Sequence, residues 1–458
     1  LHLRHTTECV LQRVLRISVF SFRNASSGYF VFMNTVYNIF NKSQLVDFYG
    51  LHIERKYGIM QKDGCFCFVN ISMNKLQDKE TPNMLLIKNG YVKTMAGPDL
   101  PVGSVLIGDD GKIQSIGTEL SAPEGTLTID AQGALVTPGC VDAHCHIGLD
   151  NEACGWEGMD YNEIIDPLTP HMRAIDSINP MDEAFPLALQ GGVTTACTGP
   201  GSANVVGGTF VAIKLFGKRI DKMIVKDPIA MKCAFGENPK MNYGMKDCSP
   251  YTRMAIAGML RKELLCAGNY IKKYPNPPAQ GEEESPEDEF RYGCYRDVFA
   301  KKIPLKVHAH RADDILTAIR IAEEFGLDIT LDHCSEGHLI AEKIARIGFP
   351  AIVGPDLASR NKIEVKNMAF KTAGELEKAK VTVAVTTDHP VSLIQSLPLC
   401  CGLAVKEGLT PEGGLRALTI SAAQICRMDH MVGSIREGKK ADLVLFKGHP
   451  FETFSKVL

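Results

Sequence analysis

Residues 137–149 read TPGCVDAHCHIGL, and the reading of this stretch decides the rest. A Pro-Gly turn leads into a short apolar strand that ends on His144, Cys145 and His146. Side chains at i and i+2 of a strand share a face. His144 and His146 therefore point one way and Cys145 the other, toward the helical side. A Cys/His zinc knot is disfavoured on that ground. Two imidazoles on one face suit a divalent metal.

After Pro138 strand-like runs alternate with helical ones. GGVTTACTGPG (191–201), DPIAMKCAFGEN (227–238), IPLKVHAHRAD (303–313), DITLDHCSEGH (328–338), FPAIVGPD (349–356) and VTVAVTTDHP (381–390) are apolar runs with polar ends. Between them lie stretches such as DDILTAIRIAEEFG (313–326), with Ile315, Leu316, Ile319 and Ala322 at helical spacing. This texture predicts an α/β protein with a parallel sheet, long enough to close as a (β/α)8 TIM barrel. Before it, MLLIKNGYVKT (84–94), SVLIGDDGKIQSIG (104–117) and GTLTIDAQGALVTPG (125–139) read as short strands with Asn-Gly and Asp-Gly turns. GSIREGKKADLVLFKG (433–448) returns to strand texture. The expected organisation is an unassigned extension over 1–83, and a small β-sandwich domain built from 84–137 and 428–458 around a barrel over 138–427. The extension is poor in acids and weakly resembles a transit segment. Met84 would serve as a natural first residue, and the second β-segment looks truncated at Leu458.

Histidines and acids gather at the strand ends: His144 and His146, His308 and His310, His333 and His338, Asp388 and His389. In a barrel those ends converge on the face where active sites sit. A packed core has no reason to concentrate imidazoles there. Alternation turns Asp332 away from the barrel interior.

TPGCVDAHCHIGL resembles the first-strand motif of the amidohydrolase superfamily, and the likeness runs from about Met84 to the end, including GKKADLVLF (438–446). Within it the chain is most similar to imidazolonepropionase-like and dihydroorotase-like members. DPLTPHMRAIDSINP (166–180) and FGENPK (235–240) resemble a bacterial branch. The resemblance implies a metal-dependent hydrolase of carbon–nitrogen bonds outside ordinary peptides, acting on a cyclic amide, an N-acyl amino acid or a dipeptide-like small molecule. It implies His144, His146, His308, His333 and Asp388 as metal ligands. Asp388 would also handle the proton, with His310 as a further catalytic and substrate-binding group. His338 and Arg173 are expected to touch substrate. The position bridging two metals has two candidates, Glu237 and a carbamylated Lys232. Glu237 is preferred because it stands at the strand terminus. Such ligands suit Zn²⁺, with Mn²⁺, Fe²⁺ or Co²⁺ as alternatives, in one or two ions. Related barrels are commonly homo-oligomers.

Two other functions compete. A deaminase on this scaffold places a Glu soon after the fifth-strand histidine, and HAHRADD has none. A barrel that lost its metal and became an assembly subunit would lack several ligands, and this chain retains them.

Composition excludes other classes. With 50 Lys and Arg against 53 Asp and Glu, the net charge of −3 leaves no basic footprint for nucleic acid. No apolar run reaches the ~18 residues of a membrane span. The 15 cysteines form no CxxC pair, so reduced, mostly buried thiols in a cytoplasmic protein are expected. TGPGSANVVGGTF (198–210) lacks the Gly-Lys-Ser/Thr ending of a P-loop and reads as a loop. Trp156 reads as a pocket wall or ordinary packing. His171, His389, His430 and His449 read as structural or exposed.

Overall fold

A computed structural model describes residues 84–277 and 286–458. The extension over 1–83 and most of the acidic stretch 279–290 lie outside the described residues. The described chain is mixed α/β and carries two sheets.

The smaller sheet contains β1 (Leu85–Val92), β2 (Leu100–Ile107), β3 (Ile113–Gly117), β4 (Leu127–Asp130) and β5 (Leu135–Pro138). From the other end of the chain come β14 (Leu443–Lys447) and β15 (Lys456–Val457). The strand order is β15-β14-β5-β1-β2-β3, with β4 also pairing β1. It is one mixed sheet: β1 runs parallel to β4 and β5 and antiparallel to β2. Ile87, Val92, Val105, Ile107 and Val136 bury its inner face with Ile435. Asn89-Gly90, expected as a hairpin turn, instead lies inside β1 as an irregularity with Asn89 at φ 59°, and a Cβ on Gly90 would lie 2.5 Å from a Val136 methyl.

The larger sheet holds β6 (Cys140–Cys145), β7 (Val193–Thr198), β8 (Val206–Lys214), β9 (Ile224–Ala234), β10 (Leu305–Ala309), β11 (Ile329–His333), β12 (Ala351–Val353) and β13 (Val383–Val385). They stand in sequential order and form a nearly closed, barrel-like sheet. β8 differs from the expected all-parallel arrangement. It pairs antiparallel with both β7 and β9, and its first five residues come from the Gly-rich stretch read as a loop. Gly208 there takes φ 115° and lies against Met172 O, where a Cβ would come within 2.3 Å. Glycine marks a close backbone approach inside a strand at this point.

Between β13 and β6 side chains make the closure. Thr386 and Thr387 hydroxyls donate to the two oxygens of Asp142, and Thr387 N reaches Oδ2 at 3.2 Å. His146 N donates to His389 O at 2.8 Å. Outward residues such as Leu305, Val307, Leu331 and Val353 pack in the main core, which includes Ile315 and Ile319 of helix Ala312–Phe325. Inward residues Phe210, Ala230, Ile352 and Ala384 pack in a separate cluster with Ala422, Ile425 and Met428. Among the described residues, no helix is long and apolar enough to cross a membrane.

Candidate metal centre

The C-terminal ends of β6, β10, β11 and β13 converge. The His144 ring centroid is 5.5 Å from that of His146 and 4.8 Å from that of His333, and His308 and His333 are 4.4 Å apart. All four are buried. His144, His333 and Asp388 each offer a ligand atom within 4.8 Å of the others, and so do His308, His310 and His333. Cys145 points away, with its Sγ 3.6 Å from Cys197 O.

Nδ1 of each ring is engaged, and Nε2 of His144 and His308 also meet Lys232 Nζ and Asn238 Nδ2 at 3.2 and 3.4 Å. Nδ1 of His146 lies 2.7 Å from Gly199 O, and Nδ1 of His333 lies 2.8 Å from Gly354 O. A carbonyl only accepts, so both rings carry their proton on Nδ1. Nδ1 of His308 meets Ser202 Oγ at 2.8 Å, and Nδ1 of His144 meets the Asp332 carboxylate. Nε2 of His146 lies 3.2 Å from Asp388 Oδ1. Asp388 Oδ1 and His333 Nε2 are both buried without a hydrogen-bond partner among the described residues. Open atoms at this convergence of buried imidazoles and a carboxylate are placed to hold a cation.

Electrostatics keep this set in ligating form. Burial pushes His144, His308 and His333 well below the ordinary imidazole range, so they are neutral. Burial raises the Asp388 carboxyl, but His333, His146 and Lys232 outweigh it and hold the group below its usual range. The donor set of neutral imidazoles and a carboxylate fits a divalent metal.

The remaining candidates separate. Lys232, wholly buried in β9, places Nζ 3.2 Å from His144 Nε2, and burial lowers its amine to about 8. Glu237 opens the helix Glu237–Gly244 and turns aside. Its Oε2 accepts from Glu364 N at 3.2 Å while Glu364 Oε2 accepts from Glu237 N at 2.7 Å. Gly236 permits that clasp: its φ is 85°, and a Cβ would sit 2.5 Å from Glu364 Oε2. His310 stacks on His333 and bonds Ser335 Oγ at 2.8 Å, with burial pushing it down to about 3. His338 engages Thr372 Oγ1 at 3.0 Å. The Arg173 guanidinium forms a bidentate pair with Asp176, 2.7 and 3.1 Å, on the exposed surface. Trp156 is 88% exposed, so it neither lines a wall nor packs. His389 is fully buried with both ring nitrogens unpaired.

Asp332 departs from the alternation argument. β11 ends with His333 at φ 70° and Cys334 at φ 49°. That left-handed step turns His333 to the mouth while Asp332, in regular strand, already points inward to His144 and Lys306. Glu364 also went unread. It arrives on the turn Ile363–Val365, distant in sequence, and sets Oε1 3.8 Å from Nε2 of both His308 and His310.

The sequence pattern of the Amidohydrolase family matches residues 135–458. The chain belongs to that family. A crystallographically solved amidohydrolase from Thermotoga maritima MSB8 is 41% identical, with a TM-score of 0.78 over 81% of this chain and 96% of that one. An imidazolonepropionase of Geobacillus kaustophilus is 28% identical over 391 residues, 79% of this chain and 84% of the relative. Amidohydrolase tasK of Hapsidospora irregularis is 28% identical over 384 residues, 76% of this chain but 38% of that protein. The chain thus spans little more than a third of tasK's length. Membership and these relatives make it a hydrolase of carbon–nitrogen bonds.

Proposed function

We propose that this amidohydrolase is metal-dependent and opens a cyclic amide or cleaves an N-acyl amino acid or dipeptide-like small molecule. The observation that carries the reading is the convergence of His144, His333 and Asp388, whose ligand atoms lie within 4.8 Å of one another, with His146 Nε2 3.2 Å from Asp388 Oδ1. His144, His146, His308, His333 and Asp388 would hold the metal, Zn²⁺ in the first instance, on the mouth of a TIM barrel. A homo-oligomer in the cytoplasm is the expected setting.

Lys232 suits the bridging position better than Glu237. It stands beside His144, and an amine lowered to about 8 leaves a neutral fraction at neutral pH that can add carbon dioxide, releasing one proton and becoming a carbamate. Glu237 is spent on the Glu364 backbone.

The bound metal supplies Lewis acidity toward the substrate carbonyl and the attacking water. Asp388 takes the proton from that water and returns it to the leaving nitrogen as the C–N bond breaks. His310, neutral and accepting from Ser335 on Nδ1, offers its Nε2–H to the carbonyl oxygen as negative charge develops there. Tyr161 stacks on His146, centroids 5.2 Å apart.

One observation favours a deaminase as the second reading: Glu364 brings a buried carboxylate to the fifth-strand histidines that HAHRADD does not supply. A screen of cyclic amides, N-acyl amino acids, dipeptides and aminated rings on metal-loaded protein tests both. New amine or ring-opened acid without ammonia supports the amidohydrolase reading. Ammonia from an aminated ring transfers it to the deaminase. Turnover that persists unchanged in metal-stripped protein overturns the metal-dependent mechanism.

A further inference from the structure

Beneath the mouth lies a second arrangement of buried charge that the proposed mechanism does not use. Lys306, two residues before His308 on β10, places Nζ 2.8 Å from Asp332 Oδ2. The same oxygen meets His144 Nδ1, and Thr330 Oγ1 donates to Asp332 Oδ1 at 2.6 Å. Lys306, Asp332 and His144 are all at least 98% buried. The Nζ atoms of Lys306 and Lys232 lie 5.4 and 5.6 Å from the centre of the Phe210 ring.

As a packing device this pair would be a poor choice. Removing two charges from water costs about as much as their attraction returns, and apolar residues of similar volume often do as well. The arrangement makes sense through what it holds. Nδ1 of His146 and His333 meets a carbonyl and that of His308 a hydroxyl, whereas His144 meets a carboxylate. A charged acceptor makes a stronger bond than a neutral one. Behind a ligating imidazole it fixes ring orientation and tautomer and raises ligand basicity.

We propose that Lys306 and Asp332 are positioning residues of the metal centre: their ion pair locks the His144 imidazole with its proton on Nδ1 and its Nε2 turned to the mouth. Lys306 acts through Asp332, which it pins in place and whose charge it balances. Thr330 satisfies the other oxygen, so the carboxylate has one orientation. The inference rests on His144 being a metal ligand, as proposed above.

The test is a double-substitution cycle on the full chain. It reads the dissociation constant for Zn²⁺ and Co²⁺ by chelator competition, and the visible spectrum of the Co²⁺ form. Asp332→Asn is expected to weaken metal binding about 10- to 100-fold and to shift the Co²⁺ bands. Lys306→Met should shift both readouts in the same direction by less. The double variant should bind no more weakly than Asp332→Asn alone, because the ion pair through which Lys306 positions His144 is already gone. Lys306→Arg, which keeps the charge, should recover most of the affinity, and it stands in if Lys306→Met fails to fold. Wild-type affinity and spectrum in Lys306→Met, or single losses that multiply in the double variant, overturn the inference. A wild-type chain that binds no metal overturns the proposed function as well, so the two failures are distinguishable.

Discussion

The mouth of the barrel-like sheet and the layer directly beneath it are both buried and both polar, yet they treat their polar atoms in opposite ways. At the mouth, His333 Nε2, Asp388 Oδ1 and both nitrogens of His389 have no hydrogen-bond partner among the described residues. In the layer below, both carboxylate oxygens of Asp142 and Asp332 are satisfied by Thr386, Thr387, Thr330, Lys306 and His144. An unpaired buried polar group costs about 1–3 kcal/mol. A fold that pairs such groups in one layer and leaves them open in the next is holding the open ones for a ligand. The lower layer determines where they point.

Substitutions in the two layers should therefore fail differently. The largest effect belongs to the mouth: Asp388→Asn should lower kcat by about 10²–10⁴ with bound metal retained, read by steady-state kinetics with elemental analysis. Lys232→Met should lose activity together with the bridging position, so metal content falls and added bicarbonate no longer alters the rate. Asp142→Ala belongs to the layer below. It strands the hydroxyl of Thr387 and the N–H groups of Thr387 and His144, while the Thr386 hydroxyl keeps His144 O, and should cost about 3 kcal/mol in urea unfolding. Arg173→Ala touches neither layer. With its guanidinium paired only to Asp176 at the surface, it should leave kcat/KM unchanged and stability within about 0.5 kcal/mol.

Much of the upper layer was legible in the sequence because strand ends concentrate function and alternation has a fixed period. His144, His146, His308, His333 and Asp388 come together in the structure from four strand ends. What alternation could not supply lies where the backbone leaves the regular strand. The left-handed step at His333 lets Asp332 and His333 both face inward, against the period of two. Glycines 207 and 208 disguised the start of β8 as a loop, although Phe210, Ala212 and Ile213 bury both of its faces. The preference for Glu237 over Lys232 used the position along the strand but not the turn. Gly236 swings the chain away, and Glu237 closes on Glu364 instead. Glu364 had no local signal, since its role depends on a contact 127 residues away.

The central claim is that the unpaired atoms at the mouth await a metal, and elemental analysis of the purified wild-type chain beside an Asp388→Ala, His146→Ala variant tests it most directly. The account predicts a stoichiometric divalent metal in the wild type and its loss from the variant. A wild-type chain free of metal after purification in zinc-supplemented buffer, or a variant that retains the full amount, would contradict it.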